Sequence, residues 1–422
     1  MELKKLRLHI DGGTQTALVI TAMAFFVRLC IAVFYENNYD TQWNLMWAED
    51  IQNGFFTAYD GHVRQLDYPP LYLYVLKVVG LFTKNNAFYS FAPARMLAIK
   101  LFPVLCDSVI CFLLYRIGKR KSEIAGLVCC ALWAVNPAAV FNCSFWGQTD
   151  CVMLLALLVC FMLITQGRLT AGAIVYGLCV TLKFQTIYFA PVIALELIRR
   201  SGGFKTKKAY FEAVKYVAMA VGACALVWLP FCIGAKSITL PFDIYFGGAD
   251  TYPYITLNAD NIYGIFNFNW EPETVMSKIL SIVSIIAIGV TLVLLYVKCS
   301  GFTPECAAIL IADGIFIFTS RQHERYQMTV LIFLALFLAK HFEKRLMMIT
   351  AAQFILTLFN QARVLALVNH GAEWANSINT LQTINSILNT ALFMITVFYI
   401  LKFTMRESVR YERFSRDRIK VQ

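Results

Sequence analysis

Apolar stretches of about twenty residues, separated by short polar segments, dominate this chain and restrict what it can fold into. Three clear examples cover residues 16–35, 211–233 and 381–403. Within lipid every backbone N–H and C=O needs a partner, and a helix supplies these partners from its own residues. Charged residues make up 15% of the sequence, against roughly a quarter in soluble proteins. We therefore expect an all-α polytopic membrane protein with a single integral membrane domain over residues 1–422.

Short clusters of basic residues between the apolar stretches set the expected orientation of the chain. They lie at residues 4–7, 116–121, 199–208 and 406–420, and such clusters mark the cytoplasmic side of a membrane. Both termini are then cytoplasmic, and the basic tail 404–422 rests on anionic lipid. Because these segments carry the net charge of +11, the charge indicates membrane topology and not a nucleic-acid partner.

This orientation requires about twelve spans once two ambiguous stretches are assigned. Residues 71–82 are too short for a span, so we expect an interfacial helix within the first extracytoplasmic loop, residues 36–95. Residues 170–198 are too long for a single helix, and Lys183 interrupts them, which predicts two short helices with Lys183 at the outer turn. The predicted spans are 16–35, 96–115, 124–141, 151–165, 170–198 as two helices, 211–233, 275–297, 304–319, 327–339, 347–368 and 381–403.

With this topology the polar groups that interrupt the apolar pattern emerge on the outer side, although the basic clusters alone fix the orientation. A transporter would place polar groups near the middle of the membrane, between repeated halves, whereas these gather on one face. We therefore expect an extracytoplasmic active site. The groups concerned are Asp40, Asp67, 146–148, Lys183, 258–261 and 323–325.

Two aspartates delimit the first outer loop. Asp40 follows the first apolar stretch and is either a solvated boundary carboxylate or a general base for an acceptor hydroxyl. Asp67 precedes Tyr68-Pro69-Pro70, where two prolines keep the preceding residues extended just before a new helix. Capping that helix is the favoured local role of Asp67, with sugar or acceptor binding as the alternative.

Trp146-Gly-Gln-Thr-Asp150 and Lys183 are ambiguous when each is taken alone. Trp146 suits a membrane interface and Asp150 suits a helix start. Sugar or acceptor binding would use the same side chains together with Gln148. Lys183 either extends to the outer interface or has a function at membrane depth.

Residues 321–325, Arg-Gln-His-Glu-Arg, form the densest charged cluster on the outer side after the first loop. Arg321 and Arg325 offer planar sets of donors suited to phosphate. His323, between two arginines, should favour its neutral form and so accept or share a proton. The alternative is a stop-transfer cluster, but such clusters belong on the cytoplasmic side.

No metal and no cofactor are expected. The thirteen cysteines lie mostly inside apolar stretches, without a CxxC pair or a spaced ligand set, so they resemble small apolar residues. Asp-x-Asp, HExxH, Walker and Gly-rich phosphate-loop motifs are absent from the sequence, which leaves metal and nucleotide chemistry unsupported.

Taken together, these motifs resemble the GT-C-fold glycosyltransferases that use polyprenyl-phosphate sugars. The similarity is to the dolichyl-phosphate-glucose glucosyltransferases of the endoplasmic reticulum and to bacterial Gpi-type mannosyltransferase relatives. An arginine, Arg325, stands where the glucosyltransferases have lysine. The residues that carry the resemblance are Asp40 with Trp47, the run 66–71, Asn136-Pro137 before 146–148, Lys183 with Tyr188 and Pro191, and 323–325.

The resemblance implies a metal-independent, inverting transfer in which Asp40 is the base and His323 lies beside it. Lys183, Arg325 and Arg321 would neutralise the phosphate of the leaving lipid. Sugar and acceptor would contact the remaining candidates, which are Trp146, Gln148, Asp150, Asp67 and Glu324.

We therefore expect a hexosyltransferase that moves a glucosyl or mannosyl unit to an extracytoplasmic glycan or lipid-linked acceptor. The compact loops indicate a bacterial plasma membrane, and so an undecaprenyl rather than a dolichyl carrier. Two alternatives stay open: a transporter or flippase of lipid-linked saccharides, and a polymerase or ligase of lipid-linked oligosaccharides.

Overall fold

The computed structural model describes residues 11–36, 40–83, 90–250, 252–370 and 375–421, and these are predominantly helical. Two-residue strands β1 (Thr256–Leu257) and β2 (Gln322–His323) pair in parallel. The helices are α1 (Gly12–Phe34), α2 (Asp40–Asp50), α3 (Leu73–Thr83), α4 (Ala92–Gly118), α5 (Glu123–Ala134), α6 (Pro137–Val140), α7 (Asp150–Thr165), α8 (Leu169–Val180), α9 (Ala190–Arg200), α10 (Lys207–Gly234), α11 (Leu240–Asp250), α12 (Ile262–Ile265), α13 (Val275–Lys298), α14 (Pro304–Phe318), α15 (Met328–His341), α16 (Lys344–His370) and α17 (Ala375–Val421).

The expectation of an all-α polytopic membrane protein is confirmed. Among the described residues, five helices are long and apolar enough to cross a membrane, namely α1, α4, α10, α13 and residues 379–413 of α17. The count rises to six if α5 and residues 137–146, bent by 41° at a short break, are taken as one span. The predicted count of twelve is not confirmed. Several predicted spans are short helices such as α7, whose length of about 24 Å falls below the roughly 30 Å of a hydrocarbon core.

The two ambiguous stretches form the helices that the sequence predicts. Residues 71–82 lie in a 3₁₀ turn, Pro70–Tyr72, followed by α3, which packs against α2 and α4. The position of α3 at the membrane interface stays a prediction. Residues 170–198 form α8 and α9, and the break between them contains Lys183 and a 3₁₀ turn, Phe184–Phe189.

Two short helices, α14 and α15, occupy the centre of the fold. All or nearly all of their residues are buried, and α15 packs against α4, α5, α7, α14 and α16. Because other protein helices surround them, α14 and α15 need not match the bilayer thickness by themselves. The segments before and after these two helices therefore lie at two opposite ends of the molecule, where they bring distant parts of the chain together.

A buried ion pair links the first helices inside this apolar core. Arg28 of α1 binds Asp107 of α4, and both side chains are fully buried. Trp133 of α5 donates its indole N–H to the same carboxylate at 2.8 Å. The guanidinium of Arg28 also donates to the backbone carbonyl of Ala134 at 2.9 Å. A buried charge is tolerated only when paired and hydrogen-bonded in this way.

Candidate active site

A cavity of about 720 Å³ lies where α2, the turn after α6, the loop after α11 and strand β2 meet. Side chains from distant parts of the sequence share its wall. The predicted site residues that line it are Asp40, Asp67, Trp146, Gln148, His323, Glu324 and Arg325. The predicted outer polar groups thus gather at one end of the molecule, while the side of the membrane on which this end lies stays a prediction.

Asp40 is the first residue of α2, and an aromatic side chain holds its carboxylate in place. Trp146 donates its indole N–H to the Asp40 carboxylate at 2.7 Å. Trp146 ends a π-helical turn, Phe141–Trp146, which Gly147 terminates in the left-handed conformation with φ of +88°. A Cβ on Gly147 would lie 2.7 Å from the Thr41 side chain, so the close approach of this turn to α2 requires glycine.

Gln148 follows this turn and also lines the cavity. Its side chain is only 3% exposed, and its amide nitrogen has no hydrogen-bond partner among the described residues. A buried donor without a partner costs free energy. A ligand oxygen that accepts from this N–H would recover that free energy.

Asp67 and Tyr68 lie outside any helix and Pro69 is extended, but Asp67 does not cap the following 3₁₀ turn. The N-cap of the 3₁₀ turn is Pro69, and no side-chain hydrogen bond satisfies the helix start. Asp67 lines the cavity instead. Burial raises the pKa of its carboxyl, and the positive charges of Arg325 and Lys183 only partly offset this rise.

Asp150 and Lys183 form a buried ion pair behind the cavity wall. The Lys183 ammonium donates to one Asp150 oxygen, and Asn142 donates to the other at 3.1 Å. Asp150 is the first residue of α7, as suits a helix start, but the N-cap is Thr149, so the capping alternative does not apply to Asp150. The Lys183 ammonium lies 5.9 Å from the ring centre of Tyr68, which itself lines the cavity. Lys183 therefore acts on the cavity through its electric field, across Tyr68.

His323, Glu324 and Arg325 reach the cavity because β2 pairs with β1, which aligns His323 with Leu257. Arg325 donates from Nη1 to Glu324 at 3.2 Å, while its buried Nε has no partner among the described residues. Burial, together with the charges of Arg325 and Lys183, lowers the pKa of His323 well below its usual 6.5. This agrees with the neutral histidine expected from the sequence.

Arg321 lies apart from the other predicted site residues. Its guanidinium donates from Nη2 and Nε to the Glu273 carboxylate at 2.6 and 2.9 Å. It does not line the described cavity. Phosphate binding by Arg321 thus stays a prediction that this geometry does not favour.

The site does not have the excess positive charge of a simple phosphate-binding pocket, because its cations are paired with carboxylates. Lys183 is matched by Asp150, and Arg325 is matched by Glu324. Burial raises the pKa of Glu324, an effect that Arg325 partly offsets. Among the buried donors of the described cavity-lining residues, the Nε of Arg325 and the amide of Gln148 have no partner and remain for an anionic ligand.

A further buried cation, which the sequence reasoning did not single out, lies next to the cavity wall. Arg363 of α16 binds Asp260 and donates to the backbone carbonyl of Asn258 at 2.7 Å, and Asn258 lines the cavity. Its Nε and Nη1 have no partner within the described part of the chain, and its charge lowers the pKa of Glu324. An arginine inside the predicted span 347–368 was the signal that could have identified it.

Within the described residues, the closest set of potential metal ligands is Asp107, Cys143 and Cys151, whose ligand atoms lie within 4.8 Å of one another. This buried cluster is not part of the cavity wall. Both oxygens of Asp107 already accept hydrogen bonds, from Arg28 and Trp133. A metal there would have to displace these donors, and metal-independent chemistry remains the prediction.

Two comparisons with known proteins find similarity over parts of the chain. Residues 50–247 match the family of the glycosylphosphatidylinositol (GPI) transamidase subunit PIG-U. GPI mannosyltransferase 1 of Dictyostelium discoideum is 36% identical over 98 residues, which is 22% of this chain and 22% of that protein. The chain is thus aligned with only about a fifth of this relative.

These similarities suggest a membrane glycosyltransferase-like family, while neither the glucosyltransferases nor the bacterial Gpi-type mannosyltransferase relatives of the predicted resemblance are confirmed. The segment that matches PIG-U contains Asp67, Trp146–Asp150 and Lys183, but Asp40 and residues 323–325 lie outside it.

Proposed function

We propose that this protein is a GT-C glycosyltransferase that transfers a hexose from a polyprenyl-phosphate donor to an extracytoplasmic glycan or lipid-linked acceptor. The observation that carries the proposal is the Asp40 carboxylate, held by Trp146 at 2.7 Å in a cavity of about 720 Å³. The similarity to GPI mannosyltransferase 1 favours mannose over glucose. The undecaprenyl carrier and bacterial membrane stay predictions from the sequence.

The proposed reaction is a single displacement that inverts the anomeric carbon. The acceptor hydroxyl gives its proton to Asp40 as its oxygen bonds the anomeric carbon. On the opposite face the bond from that carbon to the phosphate oxygen breaks, and its electron pair leaves with the polyprenyl phosphate. Arg325 Nε donates to the leaving phosphate, where negative charge develops. The positive charge of Lys183 also acts on the leaving phosphate from behind Tyr68, although its ion pair with Asp150 reduces this field.

Neutral His323 and the amide of Gln148 complete the proposed site. Because the pKa of His323 is low, the imidazole can hydrogen-bond to a sugar or acceptor hydroxyl without adding charge. Gln148 would donate its partnerless N–H to the sugar or phosphate. Neither group needs to change its protonation state during the transfer.

A transfer assay with a carboxylate control tests this proposal. Wild-type protein in phosphatidylcholine nanodiscs receives radiolabelled polyprenyl-phosphate mannose and a membrane lipid extract as acceptor, with EDTA present. We expect release of polyprenyl phosphate, reduced about 10²–10⁴-fold by Asp40→Asn. Asp60→Asn is the matched control, because Asp60 lies in the same loop with its side chain 44% exposed. Full turnover in Asp40→Asn would show that the base is misassigned.

A second candidate is a non-catalytic membrane subunit that binds a glycolipid, which the match to the PIG-U family favours. In that case the cavity would bind the glycan without cleaving a glycosidic bond. Wild-type protein would then retain a radiolabelled glycolipid from the extract but release no polyprenyl phosphate, and Asp40→Asn would bind it equally well.

A further inference from the structure

A second cavity, of about 900 Å³, lies at the opposite end of the molecule from the candidate active site. Helices α14 and α15 connect the two ends. Pro304 and Lys340 line this second cavity, whereas the far end of α14 and the start of α15 flank the segment that carries Arg325. Helices of this length separate the two cavities by roughly 20 Å.

Four cations from three helix ends line this cavity: Arg199 and Arg200 of α9, Lys298 of α13 and Lys340 of α15. Compensation of the helix dipole by basic residues in the last turn explains part of this arrangement. Lys340 binds Glu305, and the two arginines share Glu196. Lys298 has no carboxylate partner within the described residues, so its ammonium is available to a ligand.

A buried hydroxyl on the same wall is independent of these cations. Tyr296 lines the cavity and is 3% exposed, and its hydroxyl has no hydrogen-bond partner in the described part of the chain. Its ring lies 4.9 Å from the Arg199 guanidinium and packs edge-on against Phe302 at 5.2 Å. A buried hydroxyl left without a partner is costly, and a ligand oxygen would remove that cost.

The start of α14 lies on this wall and adds the positive end of a helix dipole rather than free backbone donors, because Pro304 has no N–H and the Cys306 N–H is already bonded. Thr303 caps the helix and accepts from the Cys306 N–H at 3.3 Å, and Thr303 and Pro304 line the cavity. The N-terminus of a helix favours negative charge. Cations, a hydroxyl donor and a helix start therefore converge on one space, which is the donor set that a phosphate group uses.

We propose that this cavity binds the phosphate-bearing head group of an anionic phospholipid. A lipid is favoured over soluble phosphate because Lys298 ends α13. Only 11% of the residues in the most apolar part of this helix are buried in the protein. Val297, 54% exposed, lines the cavity beside Lys298, so acyl chains can lie along α13 while the phosphate enters. The basic clusters predict the cytoplasmic side for this end, where anionic lipids concentrate.

Binding of phosphatidic acid tests this site without any dependence on the proposed transfer. Wild-type protein is titrated with short-chain phosphatidic acid in detergent, and lipid retained from mixed phosphatidylcholine–phosphatidic acid nanodiscs is counted by native mass spectrometry. We expect saturable binding of phosphatidic acid over phosphatidylcholine. Lys298→Gln and Tyr296→Phe should each raise Kd about tenfold, as loss of a hydrogen bond to a charged group predicts.

Lys215→Gln is the control variant, because Lys215 is an exposed lysine of α10 whose side chain is 61% exposed and which lies outside the cavity. It should bind like the wild type, since general attraction to an anionic surface does not depend on one lysine. Equal binding by all the variants would overturn the proposed site. Saturation by inorganic phosphate without retention of phosphatidic acid would overturn the lipid as the ligand.

Discussion

The buried pair of Lys183 and Asp150 gives the sharpest test of how charge is held beside the candidate site. Lys183→Met leaves the Asp150 carboxylate buried with Asn142 as its remaining donor at 3.1 Å. Asp150→Asn leaves the Lys183 ammonium buried without its counter-ion. We expect each single variant to be strongly destabilised and the double variant, Lys183→Met with Asp150→Asn, to recover most of the loss.

The magnitude follows from burial. The side chains of Lys183 and Asp150 are 9% and 0% exposed, so solvent screening reduces their interaction little. Removing one partner of a buried pair costs about 3–5 kcal/mol, mostly because the other charge stays behind. In the double variant no charge is buried, and the expected loss falls to about 1–2 kcal/mol from the missing hydrogen bonds. The resulting coupling free energy, which is the loss in the double variant minus the two single losses, is about 4–9 kcal/mol in magnitude.

Thermal unfolding followed by size-exclusion chromatography in detergent measures the cycle, and the transfer assay is run on the same samples. The control is Lys119→Met, which breaks an exposed pair with Asp11 whose side chains are 33% and 55% exposed and should cost less than about 1 kcal/mol. A double variant no more stable than Lys183→Met would refute the reasoning. A double variant that is stable yet slow in transfer would separate the electrostatic role of Lys183 from its structural one.

Two further predictions concern the residues around Asp40. Trp146→Phe keeps an aromatic ring but removes the N–H that donates to Asp40 at 2.7 Å. We therefore expect kcat to fall about tenfold or more while the melting temperature changes little. An unchanged kcat would show that Trp146 does not position the base. The low pKa of His323 keeps the imidazole neutral as the pH falls from 8 to 6, so the profile of kcat against pH should show no inflection near 6.5. An inflection there that His323→Gln removes would contradict this assignment.

The apolar pattern and the basic clusters were sufficient to predict the helical membrane class and the gathering of polar groups at one end. Lipid imposes this outcome, because backbone groups in an apolar stretch must bond within a helix. The prolines after Tyr68 likewise predicted an extended segment, and Lys183 predicted a break between two helices. These features depend on local chemistry, so the order of residues already contains them.

Tertiary packing decided which side chains become partners. Asp67 and Asp150 looked like helix caps, yet Asp67 lines the cavity and Asp150 binds Lys183, 33 residues away. Trp146 reaches Asp40 across 106 residues. The sequence contains no local signal for such pairs, because they depend on how helices of different length meet at their ends.

The helix count shows the same division. Hydropathy identifies apolar segments, but it cannot distinguish a helix with a largely exposed surface, such as α13, from α14 and α15, which other helices enclose. The sequence by itself therefore determined that the apolar stretches suit a lipid environment, and it determined which residue types are available for chemistry. Only the packing of enclosed short helices decided which charges are paired and which donors, at Arg325, Gln148 and Tyr296, remain without a partner among the described residues.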